Sequence, residues 1–442
     1  MLYCIDMRKN ERFTGTCTGY TNEGLGVVKH EGEVFFVPHL LKGETADIVC
    51  TLAKKNFAYG RVLNIIDKSK HRTEAKCSCY RQCGGCQLQY MDITEQQAFK
   101  TDKVRQCFRS IAHMEPDIND CLMGEPYRYR NKVQVPVQVD GTIRMGFYKN
   151  RSNEIVEFED CLVQSELSNQ IIQYLKKTMP VIEAMKLRHI LIKHAHNSGQ
   201  MMVVFITRQP LHFEDEYLNR FKEHYPMIRT IIENINDRND NVILGEEEKV
   251  LLGDGIIEEQ LLDCTFTISS KSFYQINPAQ TAVLYSTALE KAQLNKDDIL
   301  IDLYCGTGTI GILASKYVKE VIGIEIVAEA IIDAGHNAKA NGRDNISFIC
   351  ADAGKGAEQL IERDIRPSVV IVDPPRKGLD KTAIEAIRTM NPDRVVYVSC
   401  DPSTLARDVA LLKDNYEIKE VQPVDMFPMT SHVETVVLLT KG

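Results

Sequence analysis

Two sets of cysteines have spacings that could do chemistry. Residues 76–87 read KCSCYRQCGGCQ, placing Cys77, Cys79, Cys83 and Cys86 close together. Cys83-Gly-Gly-Cys86 forms one metal hook. The gaps before it do not repeat the paired C-x-x-C pattern usual for zinc. Short spacers between cysteines suit an iron–sulfur cluster. Spacing leaves zinc and iron–sulfur both open, and three local ligands need a fourth from elsewhere. The second candidate is Cys400, in VVYVSCDPSTLARD. A thiol at the carboxyl edge of a parallel strand points into a cofactor crevice. Donors at the start of a following helix would lower its pKa and favour the nucleophilic thiolate. The alternative is a packed strand-end cysteine. Others, such as Cys50, Cys264 and Cys350, read as single buried thiols.

The elements that position these groups must come from a chain of 442 residues, 44% hydrophobic and 26% charged. Those values predict a soluble protein of two to three domains. No apolar run is long enough to span a membrane, and the start lacks a signal-peptide core. A cytoplasmic location is expected, where disulfides are rare. The net charge of −8 argues mildly against an extended nucleic-acid surface. Charge is uneven, however. Between Tyr127 and Arg151 stand Arg128, Arg130, Lys132, Arg144, Lys149 and Arg151 against the single acid Asp140. Residues 1–70 carry short β-rich runs and glycine turns, predicting a small OB-type barrel. Residues 71–270 hold the cysteines, a polar helix and a mixed α/β region. Residues 271–442 alternate long helices with apolar strands, predicting a Rossmann-like, doubly wound parallel sheet.

In that last part, DDILIDLYCGTGTIGILASK runs from strand to glycine turn to helix. Gly306, Gly308 and Gly311 permit close backbone approach to a ligand. The next strand, EVIGIEIV, carries Glu325 at a place suited to a ribose diol. The loop DLYCGTGTIG resembles motif I of S-adenosylmethionine (SAM)-dependent methyltransferases, in which Asp352 would read the adenine. With such a cofactor, Cys400 suits methylation of pyrimidine carbon 5. That carbon is too weak a nucleophile until a thiolate adds at carbon 6. Glu434, in HVET, taken alone is an exposed strand-end acid.

Taken in order, SFYQINPAQ, DLYCGTGTIG, DPPRKG, VSCDPSTLARD and HVET resemble the RNA uracil-5-methyltransferases that carry a TRAM domain. TNEGLGVV and HEGEVFFVPHLLKGE are similar to that RNA-binding barrel. The resemblance spans essentially the whole chain. It implies Cys400 as nucleophile and Glu434 as the base that removes the carbon-5 proton. It implies Gln275, Tyr304, Thr309, Glu325, Asp352 and Asp373 as SAM-binding positions. Thr309 and Tyr304 depart from the frequent Asn and Phe of the family. EFEDCLVQS then supplies Cys161, so that Cys77, Cys83, Cys86 and Cys161 would hold a 4Fe-4S cluster, with Cys79 spare. The second cysteine of RNA cytosine-5-methyltransferases is replaced by Pro375. Phe273 and Tyr274 are placed to stack on the target base, and Arg130, Asn131 and Lys132 to contact RNA. The implied substrate is a flipped-out or single-stranded uridine, in ribosomal RNA first and transfer RNA second. A rival from another class is an iron–sulfur RNA-binding module with an inactive methyltransferase fold.

Overall fold

The computed structural model describes residues 9–150 and 152–442. Residues 1–8, and Arg151 of the basic stretch, lie outside the described residues. Five strands, β1 (Arg12–Tyr20), β2 (Gly26–His30), β3 (Glu33–Val37), β4 (Thr45–Ala53) and β5 (Ala58–Asp67), close into a barrel. Alternate residues turn inward, so Val28, Phe35, Val37 and Ile48 fill the core. Gly60 lets β5 pass close to β4, because a Cβ there would lie 2.6 Å from Ile48.

The cysteine segment follows and is fastened to the barrel. Arg72 pairs with the buried Glu44 at 2.6 Å, and Glu44 also accepts the Leu41 and Ser69 N–H groups. Leu41, Tyr80, Leu88, Tyr90, Met91 and Phe99 form one shared apolar cluster. The helix Ile93–Cys107 starts at Asp92, whose carboxylate caps the Glu95 N–H at 2.8 Å.

The middle of the chain builds a seven-stranded sheet. Its strands are β6 (Lys132–Asp140), β7 (Thr142–Tyr148), β8 (Ile155–Glu157), β9 (Leu187–His194), β10 (Met201–Thr207), β11 (Ile228–Ile235) and β12 (Glu247–Leu252). The order is β12-β11-β10-β9-β6-β7-β8, with β10 and β11 parallel and the other pairs antiparallel. Every residue of β10 is buried, which explains its unbroken apolar run. The helices Glu166–Thr178 and Asp215–His224 cover one face. The hairpin β13 (Ile256–Leu261) and β14 (Cys264–Ser269) covers the other.

The last part is a second seven-stranded sheet, of Rossmann-like methyltransferase form. It comprises β15 (Ile299–Leu303), β16 (Glu320–Glu325), β17 (Ile346–Cys350), β18 (Val369–Val372), β19 (Arg394–Ser399), β20 (Tyr416–Val424) and β21 (Glu434–Lys441). The order β17-β16-β15-β18-β19-β21-β20 is parallel except for β21, which runs antiparallel to both neighbours. Chain direction reverses across the sheet between β15 and β18, which opens a crevice at their carboxyl ends. Helices cover both faces. The helix Ile93–Cys107 joins this packing through Val104 and Cys107. Cys50 and Cys264 are buried as expected, whereas Cys350, at the end of β17, is exposed. Among the described residues no helix is long and apolar enough to cross a membrane.

Candidate active site

The carboxyl ends of β15 to β19 and the start of β21 enclose a cavity of about 1390 Å³. Gln275, Tyr304, Thr309, Glu325, Asp352, Asp373, Cys400 and Glu434 all line it. Residues up to 159 positions apart in sequence, from Gln275 to Glu434, therefore face one space.

The glycine turn shapes the cofactor end. Tyr304, Gly306 and Gly308 have φ of 64°, 53° and 79°. Gly308 is needed sterically as well, since a Cβ there would lie 3.0 Å from Phe348 and 3.1 Å from Ala334. Glu325 is locked by backbone donors. Its Oε1 accepts the Ile326 and Val327 N–H groups at 2.9 and 3.0 Å, and its Oε2 accepts Gly306 N–H at 3.1 Å. Asp352 caps the helix Ala353–Glu362 by accepting the Gly354 N–H at 3.2 Å. Gln275 is held by its carbonyl, which accepts a hydrogen bond from the Asn131 side chain at 2.9 Å. Asp302, in the same motif but not among the expected SAM-binding positions, also faces this space. One Asp302 oxygen accepts Gly311 N–H at 2.9 Å, and the other is buried without a partner. Burial raises its pKa to about 8.

The reacting end is acidic. Burial raises Glu434 to about 8, with Asp373 adding to the shift and Arg376 opposing it. Asp373 itself is pushed up to about 7 by burial. Burial likewise pushes the Cys400 thiol up to about 12, reinforced by Glu434 and Asp373 and opposed by Arg376. The expectation of a helix-stabilised thiolate is thus corrected. Asp401 caps the helix Pro402–Leu412, its carboxylate accepting Ser403 N–H at 2.8 Å, which places a further carboxylate beside the thiol. His432 also lines the cavity. Burial and the cations Arg376, Lys103, Lys100 and Arg130 lower its pKa to about 4.

The other expected contacts divide. Phe273 is 71% exposed at the cavity wall, and Tyr274 lies beside it with a buried hydroxyl. Asn131 is not available to RNA. It is buried, and its side chain and backbone N–H hold the Gln275 and Ile276 carbonyls. Arg130 and Lys132 remain half-buried.

Of the four expected cluster ligands, Cys77 and Cys86 lie near Cys161, and Cys83 lies near Cys86. Cys161 feels Cys86 and Cys77, while Cys86 feels Cys83 and Cys77. Burial raises all four thiols. Cys79 also lies near Cys77 and Cys83, and it donates its thiol to the Glu157 carbonyl at 3.3 Å. Among the described residues, no three or more His, Cys, Asp or Glu side chains gather as they would around a single metal ion.

Comparison with known proteins decides the family. The sequence profile of the tRNA (uracil-5-)-methyltransferase family matches residues 92–442. The chain belongs to this family. It is an RNA methyltransferase that uses SAM. An uncharacterized RNA methyltransferase of Clostridium acetobutylicum is 43% identical, over 99% of this chain and 98% of the relative. One from Oceanobacillus iheyensis is 42% identical over 98% and 97%. A similar solved structure is the Pyrococcus abyssi tRNA (uracil-54, C5)-methyltransferase with S-adenosyl-L-homocysteine. It is 25% identical, with a TM-score of 0.74 over 97% of this chain and 99% of that one.

Proposed function

We propose that this enzyme makes 5-methyluridine in RNA through a covalent adduct at Cys400. The observation that carries the reading is the convergence of Cys400 and Glu434 on one cavity beside the glycine turn. When bound, SAM supplies an electrophilic methyl group on a sulfonium cation, a charge that suits a cavity rich in carboxyl groups. Cys400 adds to carbon 6 of uracil as its thiol proton passes to oxygen 4, leaving carbon 5 as the nucleophilic end of an enol that releases that proton to water when it takes the methyl group. After carbon 5 has taken the methyl group, Glu434 accepts the carbon-5 proton. The released electron pair re-forms the double bond and expels Cys400. Raising Glu434 to about 8 makes it a stronger base than an ordinary carboxylate. Glu325 would hold the ribose, Asp352 the adenine, and Gln275, Tyr304, Thr309 and Asp373 the rest of the cofactor. Phe273 is exposed where an unstacked base would arrive.

Large-subunit ribosomal RNA is the first substrate candidate. The family profile begins at residue 92, so the barrel and cysteine segment lie outside it. Those parts carry the resemblance to the iron–sulfur, TRAM-bearing enzymes. Transfer RNA is the second reading, favoured by the substrate of the Pyrococcus abyssi enzyme. For the cysteine pocket we propose a 4Fe-4S cluster held by Cys77, Cys83, Cys86 and Cys161. The reading rests on the short spacers between these cysteines and on the resemblance of the segment to the iron–sulfur enzymes of the family. Ligation would deprotonate thiols that burial otherwise keeps neutral.

The test is incubation with total RNA and methyl-labelled SAM, then mapping of 5-methyluridine in ribosomal and transfer RNA from cells with and without the gene. RNA carrying 5-fluorouridine should trap a covalent complex at Cys400. An unlabelled RNA pool, or trapping that survives Cys400→Ala, would refute the reading.

A further inference from the structure

Glu434 opens β21, and residues 425–433 deliver it from β20. This strap is held mainly from outside the methyltransferase sheet. On the helix Ile93–Cys107, Lys100 is fully buried against Asp425 and also donates to the Phe427 carbonyl at 3.1 Å. Lys103 donates to the Ser431 carbonyl at 2.8 Å. Tyr129 donates its hydroxyl to the Pro428 carbonyl at 2.9 Å.

Met429 is held by three hydrogen bonds at its backbone. Its φ is 66°, a left-handed conformation that a non-glycine residue keeps only where its surroundings impose it. Its carbonyl accepts two backbone N–H groups, from Gln87 and Leu88, each at 3.0 Å. Its own N–H donates to Oε1 of Gln96 at 3.2 Å. Gln96 is buried, and its amide nitrogen is anchored on the Met91 carbonyl at 3.0 Å. The grip therefore comes from the residues that directly follow Cys86 and from the helix beyond them.

We infer that Gln96, with Lys100 and Lys103, is a positioning residue for Glu434, acting through the strap and the left-handed Met429. This rests on the reading of Glu434 as the base. None of the three needs to touch the reacting atoms. They set where the carboxylate stands when the carbon-5 proton must leave. Loosening the strap should spare adduct formation by Cys400, which directly follows β19, and slow only the proton-removal step.

The experiment is rapid-quench analysis of wild type, Glu434→Gln and Gln96→Leu on substrate RNA, with thermal unfolding measured alongside. Glu434→Gln should accumulate methylated covalent adduct. Gln96→Leu, with Glu434 intact, should lower kcat about tenfold with RNA KM within about twofold. It should also accumulate part of that adduct and show a primary isotope effect on RNA carrying 5-deuteriouridine. Normal turnover in Gln96→Leu overturns the inference. So does a lower kcat with neither adduct nor isotope effect, which would mark a merely structural role. If Gln96→Leu does not fold, Lys103→Met, at a half-buried position, is read by the same two signals. Absence of adduct in Glu434→Gln overturns the base assignment itself, and the inference with it.

Discussion

Two groups of thiols in this protein meet the same first force and differ in the second. Burial raises Cys400, and burial raises Cys77, Cys83, Cys86 and Cys161. Around Cys400 the next neighbours are the carboxyl groups of Glu434 and Asp373, with Arg376 opposing them. Around Cys161 they include other thiols. On the reading proposed above, a thiol facing the base Glu434 serves addition and elimination, and thiols facing one another serve shared ligation. The partner, rather than the pKa, would then separate nucleophile from ligand.

That contrast can be broken experimentally. The largest effect is expected at Cys400. Cys400→Ala should abolish methyl transfer and the 5-fluorouridine adduct, measured by label incorporation and by mobility on a denaturing gel. It should leave the iron content unchanged. Cys83→Ser should do the reverse first, losing bound iron as read by absorbance and metal analysis. Stoichiometric zinc with no iron in the wild type would overturn the cluster. Glu434→Gln should lower turnover by roughly 10²- to 10⁴-fold, the usual span for a general base. Retained turnover would move the base elsewhere.

A smaller effect concerns pH. Glu434 must be ionised to accept a proton, so kcat/KM should rise with pH through about 8. The sign for stability is opposite. The folded pKa of Glu434 lies above the ordinary carboxyl value of 4.5, so its buried neutral form stabilises the protein at low pH. That contribution is lost as pH climbs from there through about 8. Wild type should therefore lose thermal stability relative to Glu434→Gln across that window, followed by calorimetry. The smallest effect is expected at Cys79. Its thiol already donates to the Glu157 carbonyl, so Cys79→Ser should keep both iron and activity. Loss of iron there would exchange Cys79 for one of the proposed ligands.

Much of this was legible in the chain. The strand Ile299–Leu303 stands where its apolar run and following glycines place it. The period-two runs before residue 70 close into a five-stranded barrel. The resemblance-based cofactor and catalytic residues all reach one cavity, whereas Cys77, Cys83, Cys86 and Cys161 do not line it. Local pattern did not reveal Asn131 as a clamp on Gln275, because its polar, basic neighbourhood reads as a nucleic-acid face. Nor did it reveal Asp302, whose importance lies in an oxygen buried without a partner. The thiolate expected at Cys400 failed for a tertiary reason, since burial and the facing carboxyl groups of Glu434 and Asp373 raise the thiol.

The sequence by itself determined the parallel sheet, the glycine turn, the family and the residue types available for chemistry. Those follow from periodicity, backbone permissiveness and short-range spacing. Tertiary structure alone decided that Glu434 faces Cys400 rather than solvent. It also decided that the helix after the cysteines holds the strap that delivers Glu434. The first comes from the pairing of β19 with β21, in which Ser399 stands opposite Thr435. The second depends on packing between segments more than 300 residues apart, as in the Lys100–Asp425 pair, where burial and hydrogen-bond partners have no local signature.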